Sequence, residues 1–218
     1  MMSATDFSVK FFSVLGDSVS TFAGYSQPEE AVFYDWSRKR EAGIFSPEDT
    51  WWGRVIHELG GQLLVNHSIA GSTVCRLPEY ETQSYGCSDS RTAALGFGRL
   101  HPDVILVFLG INDWGHHVPL RTNDPNDQSV FSVAYDRMLK KLRRNYPQAQ
   151  IVCLTLPPNL PKPHPHSPSI DEFSQVILSC AAAQGCRIIR VPPCDTIDGY
   201  HPNAAGMAAI ADAVISQF

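Results

Sequence analysis

The chain alternates between two hydrophobic rhythms. Short runs rich in β-branched and aromatic residues read as strands: Val9–Leu15, Gln62–His67, Asp103–Leu109, Ile151–Leu156 and Arg187–Val191. Between them, apolar residues recur at three- and four-residue intervals. This spacing predicts helices over Glu48–Leu59, Ser88–Leu100, Gln128–Asn145, Ser169–Gln184 and Pro202–Ser216. It is cleanest around the third helix, where Tyr135, Met138, Leu139, Leu142 and Tyr146 share one face and Lys and Arg fill the other. Pro202 suits the first turn of the last helix, where its missing N–H costs nothing. Strand and helix in alternation mean βα units around a mostly parallel sheet. With no internal repeat and no linker, residues 1–218 read as a single domain.

Two stretches break the rhythm. Ser20 to Pro47 lies between the first strand and the first helix and carries Phe22, Tyr25, Phe33, Tyr34, Trp36 and Phe45. Pro157 to Pro168 holds six prolines with His164 and His166. Long excursions of this kind in a compact domain are commonly lids or binding loops.

Composition narrows the function classes. Seventeen Lys plus Arg against 22 Asp plus Glu give a net charge of −5. The densest basic cluster, Lys140 to Arg144, lies on the clearest amphipathic helix, so nucleic-acid binding is not expected. The apolar runs, such as Val104 to Ile111, fall far short of the ~18–20 residues a membrane span needs. The polar opening from Met1 to Lys10 has no signal-peptide pattern, which points to a cytoplasmic protein. Six cysteines without zinc-ligand or CxxC spacing suggest reduced thiols and no structural metal, although Cys75 and Cys87 flank one loop and a bridge between them stays open.

In open parallel sheets, ligands bind beyond the carboxyl ends of the strands. The residues placed there are Gly16-Asp17-Ser18, Ser68 to Thr73 with Gly71, Gly110-Ile111-Asn112-Asp113, and Asp198-Gly199-Tyr200-His201. Together they hold a hydroxyl, an imidazole, a carboxylate and several N–H donors, the inventory of acyl transfer. A serine needs a neighbouring base to become a nucleophile. His201 can supply it, with Asp198 three residues earlier to orient the ring. The Ser18 N–H, Gly71 N–H and Asn112 amide are suitable donors for an oxyanion.

These four blocks, in this order, resemble the SGNH or GDSL-type hydrolases from about Val9 to the C-terminus, with Val19 standing where the family motif has leucine. The resemblance implies an α/β fold, a three-layer α/β/α sandwich around a five-stranded parallel sheet in flavodoxin-like order. It also implies ester hydrolysis without a cofactor, with Ser18, Gly71, Asn112 and His201 in the four named roles and Asp198 completing the triad. The expected partner is a small-molecule ester. A small or medium acyl group is the leading expectation, ahead of a carbohydrate O-deacetylase or a lysophospholipase or thioesterase.

Other polar residues have plainer readings. Asp17, Asp113 and Asn66 are expected to bond backbone groups in turns. His116-His117, without a carboxylate at ligand spacing, reads as pocket lining or surface, and His57 as a packing or surface residue. Trp51 and Trp52 read as core, whereas Trp114 and Tyr200 flank the chemical blocks and are candidates for substrate contact. A non-catalytic binding module is disfavoured because nucleophile and base are both retained. A metal hydrolase using the histidine pairs would lose activity to a chelator.

Overall fold

The computed structural model describes residues 9–77, 85–161 and 168–218. Five strands form one sheet: β1 (Phe11–Gly16), β2 (Gln62–Ser68), β3 (Val104–Phe108), β4 (Gln150–Leu154) and β5 (Arg187–Ile189). Their order is β2-β1-β3-β4-β5, and every neighbouring pair is parallel. β3 is buried along its whole length, which is why its sequence is a continuous apolar run rather than an alternating one.

Helices cover the sheet in two groups. α2 (Trp51–Glu58) packs against α7 (Ala204–Ile215), while α5 (Phe131–Asn145) packs against α3 (Asp89–Ala93) and α6 (Ile170–Ala183). The chain leaves β1 toward β2, then returns across β1 to β3 and continues outward. Right-handed crossovers therefore place the two groups on opposite faces and complete the α/β/α sandwich. The direction of travel reverses between β1 and β3, so their carboxyl ends flank the crevice where such sheets bind ligands. No helix among the described residues is long and apolar enough to cross a membrane.

The predicted elements are present with shifted bounds, and each shift has a local cause. The helix expected over Ser88–Leu100 stops at Ala93. The Tyr146 hydroxyl accepts the Leu95 and Gly96 N–H groups at 2.8 and 3.0 Å and donates to the Ala93 carbonyl at 2.7 Å. That phenol satisfies the groups another helical turn would have used. The stretch from Glu48 divides because Thr50 is extended and caps α2, accepting from the Gly53 N–H at 3.0 Å after a short turn at Pro47–Asp49.

Pro202 does not open the last helix. Asn203 is the cap, accepting from the Gly206 N–H at 3.0 Å, and Pro202 stands outside it. Two short helices, α1 (Arg38–Glu41) and α4 (Ile111–Gly115), were not anticipated. All six cysteines are free thiols, Cys75 and Cys87 included.

Candidate active site

The end of β1 turns at once into a single helical turn, Ser18–Ser20, capped by Asp17, whose Oδ1 accepts the Val19 N–H at 3.1 Å. Gly16 serves close packing there: a Cβ at this position would sit 2.6 Å from that of Ser20 and 2.8 Å from Ser68 Oγ. Three side chains clamp Ser20. The Trp51 indole donates to its Oγ at 3.2 Å, and the Trp52 indole and Asn66 amide both donate to its carbonyl at 2.9 Å. The tryptophans are thus core residues that also fix the turn. Ser18 is 8% exposed at the mouth of this packing.

His201 reaches Ser18 from the far end of the chain. Its Nε2 lies 3.0 Å from Ser18 Oγ, and its Nδ1 lies 2.6 Å from Asp198 Oδ2. The other Asp198 oxygen accepts the Tyr200 and His201 N–H groups at 2.9 and 2.8 Å, so the carboxylate is fixed by its own loop. Partial burial works against the Asp198 charge. The backbone donors of His201 and Tyr200 and the imidazole outweigh it and hold the carboxyl below its usual range. Burial also pushes the His201 pKa down; Asp198 opposes this, the Arg38 charge adds to it, and the net result lies below 6.5. A neutral imidazole beside a hydroxyl can accept its proton.

The second and third blocks meet at the same edge. Gly71 has φ +75°, a conformation that favours glycine, and nothing lies within 4 Å of where a Cβ would stand. Asn112, on α4, donates one amide N–H to the Ser72 carbonyl at 2.9 Å, and the amide carries a second N–H. Asp113 is buried beneath this loop and accepts the Val74 and Cys75 N–H groups at 2.8 and 2.9 Å. Burial raises its pKa even against those bonds.

Sequence reasoning missed two residues. Arg91 on α3 is 1% exposed. Its guanidinium donates to the Gly16 carbonyl at 2.8 Å, the His67 carbonyl at 2.7 Å, His67 Nδ1 at 3.2 Å and the Ser72 hydroxyl. It therefore joins the ends of β1 and β2 to the loop after Gly71. Nothing in Ser-Asp-Ser-Arg-Thr distinguishes it from a surface arginine. Phe33 stacks on the His201 ring with centroids 3.3 Å apart and planes 10° apart. The aromatic density of Ser20 to Pro47 was its only signal.

Trp114 does not stand open to a ligand. It is 1% exposed, and its indole N–H donates to the Pro168 carbonyl at 3.1 Å, tying α4 to the proline-rich segment. Tyr200 is half-buried against the core. His57 is at the surface. His164 and His166 lie outside the described residues.

Comparisons with known proteins agree with this fold. The sequence profile of the GDSL-like lipase/acylhydrolase family matches residues 10–218. A solved structure described as a GDSL-like lipase from Bacteroides uniformis ATCC 8492 is 32% identical, with TM-score 0.77, over 96% of this chain and 95% of that one. Another so described, from Bacteroides ovatus ATCC 8483, is 27% identical with TM-score 0.79, over 96% and 98%. Est24, a carbohydrate acetylesterase from Sinorhizobium meliloti, shares the fold at 15% identity and TM-score 0.69, over 95% and 97%. No curated protein matches. The chain belongs to the GDSL-like lipase/acylhydrolase family, whose members hydrolyse esters.

Proposed function

We propose that this protein is a serine esterase that cleaves small or medium acyl esters through an acyl-enzyme, with residues 1–218 as one catalytic domain. The observation that carries the reading is the continuous relay from Asp198 through His201 to Ser18, at 2.6 and 3.0 Å. Ser18 Oγ attacks the ester carbonyl as His201 Nε2 takes its proton. Asp198 accepts from Nδ1–H, which fixes the tautomer and steadies the imidazolium. The negative charge that develops on the carbonyl oxygen is met by the Ser18 and Gly71 N–H groups and by the second N–H of Asn112. Collapse expels the alkoxide, which leaves with the proton from His201. Water, deprotonated by the same histidine, then attacks the acyl-serine and restores Ser18.

The depth of Ser18 and the clear space at Gly71 support a modest acyl group. The burial of Trp114 removes one of the two rings that would favour a sugar platform. The direct test is labelling with a fluorophosphonate and mass mapping of the adduct. The adduct is expected on Ser18 and absent in Ser18→Ala, and turnover of p-nitrophenyl esters should survive a chelator. Labelling at another residue, or full activity of Ser18→Ala, overturns the assignment. A panel from acetyl to decanoyl then reads the acyl limit, since an apolar channel favours each added methylene by about 1–3 kcal/mol.

A further inference from the structure

The imidazole of His201 is held by more than Asp198. We propose that Phe33 is a positioning residue for this base: its ring sets the tilt of the imidazole toward Ser18 and closes that face to water, with Arg38 clamped on the ring's outer side. The proposal rests on the serine–histidine reading above and adds a part of the molecule outside the four sequence blocks.

A chain of contacts closes on itself through Phe33. The Thr21 hydroxyl donates to the Ser18 carbonyl at 2.8 Å and accepts the Phe33 N–H at 2.9 Å, so the backbone of Phe33 is referenced to the nucleophile's own backbone. The Phe33 ring then lies flat against His201, and His201 Nε2 returns to Ser18 Oγ. On the other side the Arg38 guanidinium carbon sits 4.5 Å from the Phe33 centroid, a cation–π contact that presses the ring inward.

Two further ties hold the segment to the histidine loop. The Tyr34 hydroxyl donates to the Pro202 carbonyl at 2.7 Å, and the Ala204 N–H donates to the Ala42 carbonyl at 2.8 Å. A ring so fixed keeps the imidazole from tilting out of its plane, and Asp198 on Nδ1 fixes the remaining in-plane angle, so that Nε2 stays aimed at Ser18. Misplacement by an ångström costs such sites up to about 100-fold.

The charged groups that act on the imidazole come from two elements: Asp198 from its own loop, and Arg38 from the segment that carries Phe33. Asp35 lies near Arg38 and its carboxylate accepts the Arg38 N–H at 2.9 Å, whereas Lys39 points to the Phe22 and Trp36 rings. Burial beneath Phe33 and the Arg38 charge both disfavour imidazolium, in agreement with the lowered pKa.

The experiment compares pH profiles of kcat/KM and kcat for wild type, Phe33→Ala, Phe33→Tyr and Arg38→Gln on p-nitrophenyl acetate. Phe33→Ala should lower kcat by about 10–100-fold and move the acid-side midpoint upward, as water reaches the ring. Phe33→Tyr, which keeps the planar stack, should restore most of kcat and the low midpoint. Arg38→Gln, a change at an exposed side chain, should move the midpoint up with a smaller loss of kcat. If Phe33→Ala fails to fold, the Arg38→Gln midpoint still decides. An unmoved midpoint in Arg38→Gln, or in a folded Phe33→Ala, overturns the proposal, as does an equal loss of kcat in Phe33→Ala and Phe33→Tyr. Failure of the triad itself would instead show as retained activity in His201→Ala.

Discussion

The nucleophile turn and the histidine loop each set an aspartate beside a reactive side chain, and the two aspartates behave in opposite ways. Asp17 precedes Ser18 and is 1% exposed; Oδ1 accepts the Val19 N–H, and Oδ2 has no partner among the described residues. Burial pushes its pKa up to about 7, against the opposing influences of the Val19 N–H and the Arg91 charge. The Asp198 side chain is 40% exposed, uses both oxygens and is held below the usual range. Nearness to the reacting atoms does not assign a role; solvation and partners do. The Asp198 carboxyl is held toward its anion, the form the proposed relay needs opposite an imidazolium. Asp17 keeps a proton through mildly acidic pH and serves the shape of the turn.

Removing the parts of the relay tests the histidine-loop half of this contrast most severely. Ser18→Ala or His201→Ala should cut kcat by about 10⁶ with unchanged circular dichroism. Asp198→Asn should cost about 10⁴, because an amide opposite Nδ1 favours the wrong tautomer. If Asp198→Asn loses less than tenfold, Asp198 does no more than cap its loop and the contrast with Asp17 disappears. Asn112→Ala should follow with a loss of about 10²–10³ in kcat and little change in KM, since the donor acts on charge that develops after binding. For the wild type, kcat/KM should rise with pH through a midpoint below 6.5, as His201 sheds its proton, and then level off. A midpoint above that value would deny the burial attributed to the imidazole.

What the sequence made legible was whatever depends on neighbours along the chain. Strand runs followed by glycine and a polar residue marked the sheet's carboxyl edge, and the fold gathers Ser18, Gly71, Asn112 and His201 there. The helical spacing of Tyr135, Met138, Leu139 and Leu142 gave α5 with only its first residues misplaced. The misreadings share a different cause. α3 ends where a phenol from residue 146 takes its backbone groups, and Trp114 is buried because Pro168 offers its N–H an acceptor. Arg91 is interior because two strand ends and a loop each present it an oxygen. Phe33 meets His201 across 168 positions of chain. Partners so distant leave no periodic trace, so local pattern extended α3 too far, offered Trp114 to a ligand and passed over Arg91 and the role of Phe33.

The smallest expected effect on turnover, and the sharpest test of the Asp17 half, comes from Asp17→Asn read as stability. The folded pKa of about 7 lies above the ordinary 3.8, so between these values the native state binds a proton that the unfolded chain has released. The favourable contribution of this group is therefore complete below about pH 4 and is lost as pH rises through 7. Asparagine keeps an oxygen for the Val19 N–H and cannot titrate. The Tm of wild type minus that of Asp17→Asn should therefore fall across pH 4 to 7 and flatten above it, by on the order of 10 °C at most. His67, driven down to about 4 by burial and by Arg91, and His201 bias stability the other way in this window. Both remain in the two proteins and cancel in the difference. A difference that does not change with pH would mean that Asp17 is ionised in the folded protein, and the two aspartates would then differ only in what they touch.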